Sequence, residues 1–209
     1  FNEERNIEAC LASVSWADEI LVVDSFSTDG TLEIARRYTD RILRHEYLNS
    51  AAQKNWTIPQ AIHDWVLIVD SDERVTPELK KEITSLLMQR PQKDGYWIRR
   101  KNYLFGSEIR YSGWGTDSVL RLFRKDVGRY QEKRVHAEID LVNSGVLEGF
   151  LEHHSVASLA DWVTKINRYS TWKARDKFER GTKAPVLHMI LRPPMRFFKD
   201  FVLRLGMLD

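Results

Sequence analysis

The chain has 209 residues, 30% of them charged and 43% hydrophobic, with a formal net charge of +2. That length suits one domain, with or without an appendage, and the near-neutral total sets the chain apart from histone-like or polybasic nucleic-acid binders. A single cysteine, Cys10, excludes an internal disulfide framework and a cysteine-rich zinc site, and no apolar run is long enough to span a bilayer.

Helix and strand alternate through the first half. Ile7, Leu11 and Val14 recur at helical spacing, with Asn2 as a candidate N-cap. Glu19 to Asp24 is a continuous apolar run ending in a carboxylate, which reads as a strand buried on both faces. A turn over Ser25 to Gly30 follows, and Asp29 is placed to cap a helix from Thr31 to Tyr38. Arg41 to His45 reads as a short strand, and Ala51 to His63 as a helix that Pro59 kinks or breaks. Trp65 to Val69 is a second buried strand, followed at once by Asp70-Ser71-Asp72. Thr76-Pro77 starts a helix through Gln89. Such an order predicts right-handed crossovers and a mostly parallel sheet in an α/β fold.

After Gly95 the pattern changes. Tyr96 to Phe105, Glu108 to Tyr111 and Ser118 to Arg124 read as appended short strands, punctuated by Gly106, Gly113 and Gly115. Helical period returns from Leu159 to Arg180 and stops at Gly181. Pro185 opens a last segment, which Pro193-Pro194 should interrupt. Between Asp161 and Asp209 eleven Lys and Arg face five Asp and Glu, a net +6, which leaves −4 for residues 1–160. In the tail, Met195, Phe197, Phe198, Phe201, Val202 and Leu205 form an apolar set beside Arg196, Lys199 and Arg204. Two readings fit that pattern: a helix lying in a membrane surface, over residues 192–205, or one docked on its own protein.

Ligands of open α/β sheets sit beyond the carboxyl ends of the strands. Two strand ends carry acids here, Asp24 and Asp70-Ser71-Asp72. Acids at i and i+2 leaving a strand can reach one hard cation, and Mg²⁺ or Mn²⁺ favours such oxygens together with substrate phosphates. Turn acids that cap helices are the plainer alternative. Neither GxxxxGK[ST] nor GxGxxG follows a strand, so P-loop hydrolases and typical dinucleotide oxidoreductases are set aside. GxSxG is also absent. A diphosphate held without a P-loop points to a nucleotide that serves as a leaving group.

Several motifs, in order, carry a resemblance. They are Phe1-Asn2-Glu3-Glu4, Cys10 to Val14, Trp16 to Ile20, Val22 to Thr31 and Asp64 to Glu73, then Gly113-Trp114 with Asp117, Arg121 to Arg124, Val135-His136 and His154. Together they resemble the family 2 glycosyltransferases, and among these the subgroup of lipopolysaccharide-core β-glycosyltransferases. The resemblance implies a GT-A fold, Rossmann-like, in a catalytic domain over residues 1–157, with a basic helical segment over 158–209. It implies a nucleotide pocket lined by Asn2, Glu3, Asp24, Lys54 and Asp70, and a metal held by Asp70, Asp72 and His154, with His153 as a competitor. It also implies that a central strand precedes Phe1 in a longer protein.

The expected reaction transfers a hexose from a UDP-sugar to a lipid-linked or lipopolysaccharide-core glycan, with inversion, at the cytoplasmic face of the inner membrane. The base would be Glu138 or Asp117, with Glu132 also within the candidate segment. In the subgroup a Glu follows the histidine directly; here Ala137 holds that place and Glu138 comes one later, a shift that reverses the face on a strand. Trp114 beside Asp117 would stack on a sugar ring or simply pack in the core. Alternatives are a sugar nucleotidyltransferase and an inactive nucleotide-sugar binder. No nucleic-acid partner is expected.

Overall fold

The structure, a computed structural model, describes residues 1–131, 138–182 and 186–209. Glu132, Val135, His136 and Pro185 of the sequence reading lie outside the described residues. Two compact units are present: Phe1–Arg100 with Ser118–His153, and Lys101–Asp117 with His154–Asp209.

The first unit opens with helix α1 (Ile7–Val14), strand β1 (Val22–Asp24), helix α2 (Thr31–Ala35), strand β2 (Ile42–Arg44) and helix α3 (Ser50–Thr57). Strands β3 (Trp65–Leu67) and β4 (Glu73–Val75) and helix α4 (Pro77–Met88) follow. The longer strands β5 (Gly95–Leu104), β7 (Ser118–Arg124) and β8 (Ser144–Val156), with the short β6 (Ser107–Ile109), complete the β-structure. β1 and β2 pair in parallel, Val22 with Ile42 and Asp24 with Arg44. The other strands form a sheet in the order β3-β7-β5-β8-β4, with β6 on β5.

The α/β reading stands, and the balance of ladder directions differs from it. β3 pairs antiparallel with β7, and the β7–β5, β5–β6 and β4–β8 ladders are antiparallel as well. The expectation of a mostly parallel sheet is corrected accordingly. β1 to β4 are three-residue strands with little edge to offer, whereas β5 and β8 run ten and thirteen residues. The strands read as appendages thus supply most of the hydrogen-bonding edge.

Three apolar clusters hold this unit. Leu79 and Ile83 of α4 pack on Ile98, Leu122, Leu147 and Leu151. Ala51, Ile58, Leu120, Phe123, Tyr130 and Ile139 form a second cluster, and Ile7, Leu11 and Ala35 a third. Each fully buried Leu or Ile contributes about 1.5–3 kcal/mol. Helix starts follow local chemistry: the Thr76 hydroxyl accepts from the Leu79 amide, with Pro77 in the first turn. Asp29 does bond the Thr31 amide, although Gly30 holds the cap position of α2, which ends at Ala35 rather than Tyr38. Asn2 is not the cap of α1. Asn6 stands there, while Asn2, at φ 54°, bonds Ser27 and Thr28. The helix from Ala51 is shorter than expected, since Pro59 falls in a 3₁₀ turn, Ile58–Gln60.

In the second unit, helix α5 (Leu159–Glu179) starts on Ser158, whose side chain accepts from the Asp161 amide, and Gly181 follows its end at φ 65°. Helix α6 (Val186–Phe197) runs through Pro193 and Pro194, where the sequence had led us to expect an interruption. A π-helical turn, Phe198–Leu203, takes up the register beyond them, with the Arg204 amide donating five residues back to Lys199. Neither α5 nor α6 has a buried residue.

α4 approaches β8 closely at Gly149, where an added Cβ would stand 2.6 Å from the Leu79 Cα. Gly149→Ala should therefore push α4 off β8 and lower stability by about 1–3 kcal/mol, read from urea unfolding; an unchanged midpoint would contradict this packing.

Candidate active site

β7 is covered on both edges, by β3 and by β5, and four of its residues in a row, Leu120 to Phe123, are buried. Arg121 is therefore a cation inside a sheet, and a buried cation requires acidic partners. The β3–β7 register supplies them. Leu67 lies opposite Leu122, and the Ile68 amide donates to the Arg121 carbonyl at 2.9 Å. Two residues further on, the chain reaches Asp70 beside the guanidinium.

Asp70 to Glu73 form a closed turn. The Glu73 amide donates to the Asp70 carbonyl at 2.8 Å, and the Asp70 amide donates to the Glu73 Oε2 at 3.0 Å. The other Glu73 oxygen takes Arg121 Nη2 at 2.8 Å and Arg100 Nη1 at 3.2 Å. Arg121 Nη2 also donates to Asp70 Oδ2, and Lys54 Nζ lies 2.8 Å from Asp70 Oδ1. Lys54 further stands over the Tyr130 ring, and Tyr130 is fixed to Asn55 by two backbone-to-side-chain bonds of 2.8 Å. Desolvation by these neighbours would raise the Asp70 carboxyl. The charges of Arg121 and Lys54 override it and hold the group well below the usual carboxylate range. The side chain nonetheless stays 38% exposed, so a ligand can reach it.

Helix α1 braces the same turn. Cys10 Sγ donates to the Asp70 carbonyl at 3.5 Å, and the Val75 amide donates to Ser13 Oγ at 3.0 Å. Burial pushes the Cys10 thiol up to about 12, helped by the acids of the turn and opposed by Arg74. Asp72 follows in the turn, its side chain 19% exposed, and His153 Nε2 stands 3.6 Å from its Oδ2. The β4–β8 register, with Glu73 opposite His153, makes that meeting.

Asp24, 3% exposed, ends β1 and organises the next turn by accepting from the Ser27 amide and hydroxyl. Asn2 and Glu3 border it: Asn2 bonds Ser27 and Thr28, and the Glu3 amide donates to Thr31 Oγ1. Lys54 joins Asp70 directly, as described. Glu138 is exposed, next to buried Ile139, and its carbonyl accepts from the Gln131 amide at 2.9 Å. In the second unit, buried Asn102 donates to the Asp117 carboxylate at 3.0 Å and to the Trp114 carbonyl at 3.3 Å. His154 stacks on Tyr103 there, with ring centroids 4.6 Å apart. The histidine that meets Asp72 within the first unit is thus His153. Among the described residues, no three His, Cys, Asp or Glu side chains converge to hold a metal ion by themselves.

Sequence reasoning did not single out Glu73, Arg100 or Tyr130, and saw Arg121 only as part of a motif. The available signal was an arginine amid Val119, Leu120, Leu122 and Phe123, a charge that an interior strand can hold only against an acid.

The comparisons with known proteins identify a glycosyltransferase of GT-A fold. The profile of Glycosyl transferase family 2 matches residues 1–146, and the chain belongs to that family. It is 30% identical over 208 residues to the lipopolysaccharide core biosynthesis glycosyltransferase LpsC of Rhizobium meliloti, covering 95% of this chain and 76% of that one. It is 27% identical to the uncharacterized glycosyltransferase RT0209 of Rickettsia typhi, covering 97% and 74%. Among solved structures, S. aureus TarS 1–349 superposes with a TM-score of 0.52 at 18% identity, over 74% of this chain and 58% of that one. The chain thus spans under two thirds of the TarS chain. Family membership places the reaction with glycosyl transfer rather than with nucleotidyl transfer.

Glu73→Ala removes the fully buried one of the two acids that Arg121 pairs with and should lower stability by about 3–5 kcal/mol in urea unfolding; a loss below about 1 kcal/mol would contradict the clamp. The Cys10 thiol titrates higher in the folded than in the unfolded chain. Its contribution is complete below 9.0 and is lost as pH rises from there toward about 12. Iodoacetamide at mildly alkaline pH should therefore label Cys10 only in denaturant, and labelling of the native protein at the denatured rate would refute this.

Proposed function

We propose that the chain is an inverting, metal-dependent transferase that moves a hexose from a UDP-sugar to a lipid-linked or lipopolysaccharide-core glycan. The observation that carries this reading is the Asp70–Asp72 turn at the end of β3. One of its carboxylates is anchored by Arg121 and Lys54, and the other lies beside His153. UDP as the nucleotide is supported by the S. aureus TarS structures in complex with UDP and with UDP-GlcNAc. The acceptor class is supported by the name of the LpsC relative.

Mg²⁺ or Mn²⁺ typically takes one or two carboxylates and completes its shell with water and substrate phosphates. The turn offers two hard carboxylates, Asp70 and Asp72, the donor type such an ion takes. Asp72 and Asp70 would hold it, with a histidine beside them; His153 is the one that meets Asp72, and His154 was the one expected. When bound, the ion would neutralise charge on the diphosphate leaving group.

The chain's own residues do the rest. Arg121 and Glu73 fix the direction of Asp70, and Lys54 adds a positive charge where a diphosphate would lie. The Asn2–Glu4 segment and the turn ordered by Asp24 would border the base and ribose. A carboxylate opposite the leaving group takes the proton of the acceptor hydroxyl. The two candidates are Asp117, which accepts from buried Asn102, and Glu138. We place the reaction in the cytoplasm, at the inner-membrane face.

In a UDP-release assay with Mn²⁺, Asp72→Ala should lose at least about 100-fold in turnover, and wild-type-like turnover would overturn the proposal. Of Asp117→Asn and Glu138→Gln, the variant lacking the base should lose about 10²–10⁴-fold in kcat with donor KM little changed. If both retain wild-type kcat, neither carboxylate is the base.

A further inference from the structure

The C-terminal element carries more exposed apolar surface than its own unit covers. Across α6 and the π-helical turn, Leu187, Ile190, Leu191, Met195, Phe198 and Val202 recur at spacings of three and four, which puts them on one face. Leu187, Ile190 and Met195 are 63%, 64% and 67% exposed, and Phe198 is 55% exposed. Soluble domains rarely leave a contiguous apolar stripe of this kind open. Arg192, Lys199 and Arg204 lie among and beside these residues along the chain. Arg196 and Arg204 both pair with Asp200, which keeps two guanidinium groups beside the stripe. Among the described residues no helix is long and apolar enough to cross a membrane.

We propose that residues 186–208 lie in the surface of an anionic bilayer, with the apolar stripe among the acyl chains and Arg192, Lys199 and Arg204 at the headgroups. Charge selects this occupant. A stripe with cations among and beside it matches a layer of apolar chains under negative headgroups, whereas a second copy of the chain would bring the same cations against themselves.

The element is also tied to the loop that holds the acceptor-side candidates. The Ser112 amide donates to the Arg204 carbonyl at 3.0 Å, and Ser112 Oγ donates to the Asp200 carbonyl at 3.3 Å. The amides of Arg110 and Tyr111 both donate to Asp209 Oδ1, at 2.7 and 3.0 Å. Gly206 packs so closely that a Cβ there would stand 2.0 Å from Ser112 Oγ. Seating the tail on a bilayer therefore brings the Arg110–Asp117 loop, with Trp114 and Asp117, to the lipid surface. This second step rests on the acceptor role proposed for Asp117, and the first does not.

The test is co-sedimentation of the full chain with vesicles of phosphatidylcholine, with and without about one quarter phosphatidylglycerol. The wild type should pellet with the anionic vesicles and hardly with the neutral ones. Phe198→Glu with Phe201→Glu should abolish binding. Arg192→Ala with Lys199→Ala should weaken it at least about tenfold, at roughly fivefold per charge. Each variant is accepted only with an unchanged unfolding midpoint; where the Glu pair fails that check, Phe198→Ser alone serves. Failure of the wild type to bind anionic vesicles, equal binding to neutral ones, or a dimer in sedimentation velocity that the Glu pair dissolves would each overturn the proposal. UDP turnover is not read here, so loss of the glycosyl-transfer reading would leave this result standing.

Discussion

Arg121 and Glu73 form an opposite-charge pair inside the sheet, and the Asp70–Asp72 turn hangs from it. Removing two charges from water is unfavourable, and such pairs are often no more stabilising than a well-packed apolar substitute. Their value here is directional. Glu73 receives Arg121, Arg100 and the Asp70 amide, and Arg121 in turn reaches Asp70. With Lys54 on the other oxygen, the first carboxylate of the turn has a fixed direction and a fixed charge. The second, Asp72, stands beside His153.

The rest of the first unit maintains that arrangement. The β3–β7 register sets Arg121 beside the end of β3, and the β4–β8 register sets His153 beside Asp72. A slip of one residue in either ladder would turn these side chains to the wrong face. Leu79, Ile83, Leu122 and Leu151 fix the registers from one side of the sheet, and Phe123, Ile58 and Tyr130 belong to the second cluster. α1 closes the turn from outside through Cys10 and Ser13. The geometry of the candidate site and core packing are one constraint in this unit.

Much of this was legible in the sequence, because local signals and tertiary structure agreed. The apolar run ending in Asp24 gave a strand that ends in that acid, whereas the run before Asp70 gave a strand that stops at Leu67, and both are shorter and only partly buried where burial on both faces was expected; Thr76-Pro77 gave a helix start where one stands. The helix from Leu159 to its stop at Gly181 was equally plain. Ladder direction was not legible: alternation of helix with strand implies parallel neighbours, yet which strand lies beside β3 depends on partners far along the chain. The acid–base network was hidden for the same reason. Glu73 and Arg121 are 48 residues apart, and only the sheet joins them. Pro193 and Pro194 misled in the opposite direction, since a local break signal yields where an exposed helix can widen into a π turn beyond it.

The central claim is that the turn anchored by Arg121 and Glu73 is where a nucleotide diphosphate and its cation meet the protein. Anomalous diffraction from crystals grown with UDP and Mn²⁺ tests it most directly. The account predicts a manganese peak at the Asp70–Asp72 turn, beside the diphosphate of UDP. A UDP site away from the end of β3, or a manganese ion without contact to the turn, would contradict it.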